Sequence, residues 1–356
     1  MQNDLPNENK TVTAKCPSCG GNMAFDPETQ KLKCQHCLTV SDFEKSSSVK
    51  ELDILTAFNN GEEWKNESSV YRCENCGAVV VLSPNETATR CPYCETSHVV
   101  RSEETAGLKP SAVYPFTVTC DMALEYSKKW AKSRLFAPSK FKKNLHAEDF
   151  RGVYQPCFTF DSQTSSTYVG RIGKRHTRVV GSGKNRRTET YIVWHNISGN
   201  LSHFFNDVFI NADTEYARGT LNKLLPFNYQ TIKEYSGDYL TGYMARRADR
   251  KIEDCWDDAK AVIDSDIRRL ILSRYSYDVV SYLNVSTSHS DVTYKYVLLP
   301  IYLLNYKYGK KYYKVHINGN TGKVAGKAPV SPIRVLITVV LGIAVAGLLA
   351  YLFLNS

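Results

Sequence analysis

The strongest pattern in the chain lies near its C-terminal end. Val335 to Leu354 ("VLITVVLGIAVAGLLAYLFL") carries no charge, and Thr338 is its one strongly polar residue. At 1.5 Å per residue a helix over this stretch spans the roughly 30 Å hydrocarbon layer of a bilayer. A second helical pattern runs through "KIEDCWDDAKAVIDSDIRRLILSRY", where Ile252, Cys255, Ala259, Val262, Ile263, Ile267, Leu270 and Ile271 keep three-to-four spacing. Its Glu253, Asp254, Asp257 and Asp258 sit early, where the helix dipole favours them, and read as caps and solvated surface. "TCDMALEYSKKWAKSRLF" predicts a helix capped near Thr119 or Asp121 and ended by Pro138, and Glu51 to Phe58 predicts a short one. Alternation predicts strands in "VYQPCFTFDSQTSSTYVGRI", interrupted at Pro156, and a strand and turn in "ETYIVWHNISGN". More strands follow in "VLLPIYLLNYKYGKKYYKVHINGNTGKVAG", with "YGKK" and "NGNTG" as tight turns. The shape of "GVYQPCFTFDSQ" echoes the start of that last stretch, which raises an internal duplication.

Cysteines change this picture at the N-terminal end. "CPSCGGNMAFDPETQKLKCQHC" and "CENCGAVVVLSPNETATRCPYC" share the pattern C-x2-C-x14-C-x2-C. The first uses Cys16, Cys19, Cys34 and Cys37, and the second uses Cys73, Cys76, Cys91 and Cys94. Two residues between cysteines let both sulfurs meet one ion. Fourteen between the pairs are enough for a hairpin: "GNMAF" and "KLKC" around "DPETQ" in the first, "AVVVL" and "TATRC" around "SPNE" in the second. Gly20 and Gly77, directly after the first pair of each set, relieve crowding there. Four thiolates in this arrangement suit structural Zn2+ and leave no open position for catalysis, so two structural zinc sites are expected. A C-x-x-C redox pair and a rubredoxin-like iron site are the competing readings; the first calls for a helix start after the pair, which is not seen. His36 and His98, near these cysteines, read as surface residues.

The expected architecture is therefore two small β zinc ribbons with rubredoxin-like knuckles, an α+β domain with an antiparallel sheet, and one C-terminal transmembrane helix. The divisions fall at 12–40 for the first ribbon, 41–70 for a linker with a short helix, and 71–98 for the second ribbon. A linker at 99–110, the α+β domain at 111–328 and the membrane helix at 333–354 complete them. Lys323, Lys327 and Arg334 precede the apolar helix, and positive flanks stay in the cytoplasm. The start of the chain has no apolar core of a signal peptide. These features predict a single-pass protein of the cell membrane, with its N-terminal domains cytoplasmic and a C-terminal anchor.

The formal charge is +9. Each four-thiolate zinc site carries a net −2, so two such sites lower the total to about +5. Much of the excess lies in "RIGKRHTRVVGSGKNRRTET", where Arg171, Lys174, Arg175, Arg178, Lys184, Arg186 and Arg187 face a single acid, Glu189. Its glycines suggest a loop or hairpin. Anionic lipid headgroups, an acidic protein partner and nucleic acid compete as its ligand, beside the reading of a merely solvated loop. The segment lacks the interleaved aromatics of a nucleic-acid stacking platform, and the anchor brings it near lipid, so lipid or protein contact is favoured. Catalytic signatures are missing: "GSGKN" fails the phosphate-loop spacing, and no H-E-x-x-H or G-x-S-x-G occurs. Cys120, Cys157 and Cys255 are isolated and read as small buried hydrophobes, and His195 and His203 as structural histidines. The chain is not expected to be an enzyme.

The double ribbon "CPSCGG…CQHC" and "CENCGA…CPYC", the tyrosine-rich "PIYLLNYKYGKKYYKVHINGNTGKVAG" and the apolar tail together resemble a family. It comprises bacterial membrane-anchored proteins with TFIIB-type or replication-restart-helicase-like zinc ribbons. In Bacillus-type bacteria such proteins are encoded beside a flotillin-like SPFH protein and a phage-shock-type coat protein. The resemblance implies a membrane-tethered adaptor that recruits SPFH and phage-shock-type partners to the envelope under stress. The contrasting expectation is a nucleic-acid-binding zinc-ribbon protein held at the membrane.

Overall fold

The computed structural model describes residues 15–43, 49–56, 69–75, 77–82, 91, 99–102, 108–143, 145–146, 150–183, 186–214, 218–308 and 311–354. A small three-stranded sheet comes first, formed by β1 (Met23–Asp26), β2 (Lys31–Cys34) and β3 (Val40–Ser41). The first two pair as the expected hairpin, with Met23 opposite Cys34 and Asp26 opposite Lys31. Asp26 closes the turn by accepting from the backbone N–H and hydroxyl of Thr29.

All later strands join one sheet, of twelve strands among the described residues. It is mixed and not wholly antiparallel as expected, since Met244 and Ala245 pair in parallel with Val153 and Tyr154, and Ala112 and Val113 with Val297 and Leu298. In chain order they begin with β4 (Leu52–Asp53), β5 (Ser69–Cys73), β6 (Val79–Leu82), β7 (Val99–Ser102) and β8 (Ala112–Val113). The long strands β9 (Phe150–Val180) and β10 (Arg187–Asn211) follow, then β11 (Lys233–Glu234) and β12 (Met244–Arg246). Last come β13 (Val279–Tyr308), β14 (Lys311–Asn318) and β15 (Val324–Gly326). The helices are α1 (Cys120–Ser133), α2 (Ser139–Lys143), α3 (Arg218–Leu224), α4 (Ile252–Leu272) and α5 (Pro332–Leu354). Thr119 caps α1 by accepting from the N–H of Met122, the side-chain cap that a threonine oxygen provides to an orphan donor. Within 51–58, where a short helix was expected, Leu52–Asp53 pairs with Tyr294 and Thr293 of β13, and one helical turn follows at 54–56. Val99–Ser102, inside the stretch read as a linker, pairs with β5.

The three long strands form one ribbon in the order β10–β9–β13, both pairs antiparallel. Burial along β9 falls into three zones. From Val153 to Ser162 both faces are covered. From Thr164 to Ile172 burial alternates, because one face packs on α4 through Tyr168 and Ile172 against Ile263, Ile267 and Ile271. From Lys174 to Val179 both faces are exposed, and β13 has ended, its last partner on this side being Val279 opposite Gly173. The composition follows these zones: "VYQPCFTF" is apolar on both parities, "TSSTYVGRI" on one, "KRHTRVV" on neither.

Two expected breaks are corrected. Strand β9 runs through Pro156 without interruption. On the flank opposite β13, β12 pairs only with Val153 and Tyr154, and β10 starts at Cys157. The missing proline N–H therefore falls in a gap between partners. Strand β10 likewise continues through "NISGN" with no turn. Gly199 serves packing there: a Cβ on it would stand 2.8 Å from the Tyr168 hydroxyl oxygen.

Both outer strands bulge at one level of β9. The register slips between Phe205 and Val208 in β10 and between Ser290 and Thr293 in β13, facing Phe160 to Gln163. Asp207 (φ 52°) and Asp291 (φ 51°) take the left-handed conformation in these bulges, which aspartate tolerates better than most residues. The N–H of Asp207 donates to Asp161 Oδ1 at 2.6 Å, and Lys295 ion-pairs with Asp207 at 2.7 Å and with Glu51. This is the shoulder where the ribbon leaves the core as an arm.

At the other end of the ribbon, Phe150, Leu304, Val315 and Gly326 form a row of cross-strand neighbours. Six residues after Gly326 begins α5, exposed along its length and long and apolar enough to cross a membrane.

Candidate metal centre

The four sulfurs of Cys16, Cys19, Cys34 and Cys37 lie within 4.8 Å of one another. Cys16 Sγ is 3.4 Å from Cys37 Sγ, and Cys19 Sγ is 3.5 Å from Cys34 Sγ. A tetrahedral zinc site with Zn–S bonds near 2.3 Å has sulfur–sulfur edges of about 3.8 Å. The quartet has that size and a donor set of sulfur alone. Cys16 and Cys34 are buried, while Cys19 and Cys37 face solvent. The Thr39 hydroxyl and backbone lower the Cys37 thiol to about 6. The Gly21 backbone lowers Cys19, yet the crowding Cys37 and Cys34 sulfurs together push it up to about 12. Four thiolates at this spacing need a cation between them.

The backbone explains why the sulfurs converge. Cys16 N–H donates to Gly21 O at 2.8 Å, and Gly20 N–H donates back to Cys16 O at 2.9 Å. Cys34 repeats this with Thr39 O at 2.9 Å, and Leu38 N–H returns to Cys34 O at 3.2 Å. Gly20 and Leu38 hold positive φ, 71° and 61°. The third instance starts the second cysteine set: Cys73 N–H donates to Ala78 O and Gly77 N–H to Cys73 O, both at 2.9 Å, with Gly77 at φ 75°. Cys73 and Cys91 are both buried. Cys76 and Cys94 lie outside the described residues, as do His98 and most of the expected hairpin arm "TATRC". Strand β6, the other arm, pairs instead with β5 and with β12.

Neither cysteine region stands alone. Phe25 in β1 and Phe43 meet Tyr239 with ring centroids 5.2 and 5.0 Å away, the first tilted and the second edge-to-face. Phe25 N–H donates to Thr241 O at 2.9 Å, and Gln30 Nε2 donates to Phe116 O at 2.7 Å. The first sheet is thus docked through aromatics and hydrogen bonds on the larger domain. The second region is fixed more firmly, since Arg246 of β12 pairs with Val80 of β6 and Ala245 pairs with Tyr154 of β9.

The basic segment forms the bare end of the arm. Arg171, Lys174, Arg175 and Arg178 lie on β9; Arg187 begins β10 with Arg186 just before it, and Lys184 lies outside the described residues. The single acid Glu189 ion-pairs with Arg178 at 3.3 Å and Arg187 at 2.9 Å. The strand register supplies aromatics that lie just outside the basic stretch. The Arg171 guanidinium lies over Trp194, Arg178 lies over Tyr191, and His176 stacks on Tyr191. From Gly173, the last residue of β9 paired with β13, back to Phe150 in the row that leads to α5 is 23 residues of strand, about 75 Å at 3.3 Å per residue.

His36, in the turn after β2, and His195 and His203, on β10, are exposed. Cys157 and Cys255 are buried in the sheet core and α4 as expected, whereas Cys120, the first residue of α1, is exposed. Asp258 of the early acidic group in α4 ion-pairs with Arg250 at 2.6 Å, and Asp257 pairs with Lys260 at 2.6 Å.

The chain is 30% identical over 321 residues to the "Uncharacterized protein YdjG" of Bacillus subtilis (strain 168). That alignment covers 90% of this chain and 91% of the relative. No family model matches the chain, and no solved structure matches it.

Proposed function

This chain belongs to the family of the Bacillus subtilis protein YdjG, and from that premise we propose that it is a membrane-tethered zinc-ribbon adaptor. In this reading α5 spans the membrane once, the rest of the chain lies in the cytoplasm, and both cysteine sets hold structural Zn2+. The ribbons and the arm then present fixed surfaces to a protein partner of the envelope, of the SPFH or phage-shock type that the family resemblance suggests. The observation that carries the proposal is the rigid joining of parts. The sheet that bears the cysteine quartet is locked onto the domain by Phe25, Phe43 and Tyr239, and the larger sheet leads from β6 through β12 and β9 to the row beside α5. The arm tip at Val180 lies about 100 Å along the strand from Phe150 in that row, which favours a protein contact there over the patch of bilayer at the anchor. Bound zinc would contribute folding free energy to the ribbons and hold their loops; the chain's residues supply the docking surfaces.

A pull-down of the full chain from gently solubilised membranes tests this, with Cys73→Ser/Cys76→Ser and Arg175→Gln/Arg178→Gln variants beside the wild type. Specific membrane proteins retained by the wild type and lost from either variant are expected. Nucleic acid retained at physiological salt, with no stable protein partner, would overturn the adaptor reading.

That second outcome has a structural motive of its own. Tyr191 and Trp194 bring rings beside the arginines, the pairing of stacking faces with basic groups that single-stranded nucleic acid uses. Its signature is an affinity that falls steeply with salt.

A further inference from the structure

We infer that the corner formed by α1, α2 and the turn between them is a second membrane contact, a collar that binds the headgroups of anionic phospholipids around the base of α5. From Tyr126 to Ala147 the chain has seven Lys/Arg and no Asp or Glu. Lys129, Lys132, Arg134 and Lys140 are exposed, and none of the four forms an ion pair among the described residues. Lys142 reaches back to Lys132 O at 3.3 Å and ties the two helices together. At the apex Leu135 is 67% and Phe136 37% exposed.

The base of α5 is tied to this apex. Ser331 N–H donates to Phe136 O at 2.8 Å. Arg334 donates to Leu135 O at 3.3 Å and to Ser139 Oγ at 2.6 Å. The helix is uncharged beyond Arg334, so a bilayer that accepts it has its headgroup layer at this level. Leu135 and Phe136, bonded to Ser331 and Arg334, share that depth. A cleft of about 320 Å³ runs between them and Ala328, Pro329 and Val330. Apolar apex residues can enter the headgroup–acyl boundary while the surrounding lysines reach phosphates. The occupant follows from continuity with the anchor and from the sign of the charge: a bilayer leaflet rich in anionic lipid.

This inference rests on α5 being a membrane anchor, and the test separates the two. The full chain is reconstituted into phosphatidylcholine vesicles that contain a spin-labelled probe, either phosphatidylglycerol or phosphatidylcholine. The fraction of each probe immobilised at the protein is measured. The expected result is a preference for phosphatidylglycerol on the order of fivefold, the effect of one well-placed basic group. It falls toward unity in Lys129→Gln/Lys132→Gln/Arg134→Gln/Lys140→Gln and persists in Arg175→Gln/Arg178→Gln/Arg186→Gln/Arg187→Gln at the arm tip. Equal immobilisation of both probes by the wild type overturns the collar, as does loss of preference in the arm variant alone. If the fourfold collar variant loses its zinc or aggregates, Lys132→Gln and Lys140→Gln are read singly. A reduced preference in each supports the collar, and an unchanged one overturns it. Alkaline washing reports on the anchor separately. A chain that stays with the vesicles but shows no preference refutes the collar alone, and a chain that washes off refutes both.

Discussion

Leu38 occupies the place in its knuckle that Gly20 and Gly77 hold in theirs. A leucine at φ 61° brings its Cβ close to backbone oxygen, at a cost of about 1 kcal/mol. Leu38 is largely exposed, so little packing offsets that strain. Leu38→Gly should raise the unfolding free energy of the zinc-loaded protein by about 0.5–1 kcal/mol, and Gly77→Ala should lower it by a similar amount. Thermal melts at fixed free zinc distinguish these signs; no effect of Gly77→Ala would mean that the Cys73 turn is not held as a knuckle. Metal analysis gives a second check. The zinc content of the wild type should drop by one ion per chain in Cys19→Ser and by one in Cys76→Ser. Equal content in wild type and Cys76→Ser would remove the second site. His316 provides a pH prediction. Burial, aided by Lys314, lowers it to about 4, so the folded chain binds fewer protons there than the unfolded chain between about pH 4 and 6.5. Stability from this group is full above that window and is lost as the pH falls through it, by about 3 kcal/mol in all and about 2 kcal/mol by pH 5. His316→Gln should remove that part of the acid sensitivity, read as the difference between the two proteins' denaturant midpoints at pH 7 and pH 5.

At the scale of elements, docking of the first sheet depends on Tyr239. Tyr239→Ala removes a side chain that is 2% exposed and contacts both Phe25 and Phe43, a change that costs about 3–4 kcal/mol in a packed core. The expected result is a ribbon that still binds zinc but whose Phe25 amide exchanges faster with solvent. Wild-type protection at Phe25 in the variant would show that the hydrogen bonds alone hold the dock. Helix α4 and the β1–β2 hairpin were legible from spacing, because each is built from near neighbours: six of the eight residues read on one face of α4 are buried, while Leu270 is half-buried and Val262 exposed. Strand continuity was not. Pro156 and the "NISGN" stretch carry turn-forming residues, and only the partners on either side decide whether a missing N–H or a small side chain ends a strand. The first cysteine quartet was readable because its ligands lie in two local pairs. The rings beside Arg171 and Arg178 were not, since Trp194 and Tyr191 reach them only through the register of β9 with β10.

The whole molecule is organised along β9. Its start lies in the row that leads to α5 and, at Val153 and Tyr154, meets β12 and so the second cysteine region; its middle packs on α4, and its far end is the basic hairpin. Nothing in the local sequence announces this order, because β14 and β15 connect α5 to β9 through β13 and long-range pairing alone sets the arrangement. The two bulges at Asp207 and Asp291 add one residue each to the outer strands and none to β9 between them. Such insertions bend and twist a ladder locally. The reach of the arm is therefore set by the length of β9, while its heading is set by the flanking bulges, those at the two aspartates and a further slip between Val280 and Tyr282. Deleting Asp207 and Asp291 together would leave the arm as long as before and point it elsewhere, so a partner that needs the tip in one place would be lost without any contact residue being touched.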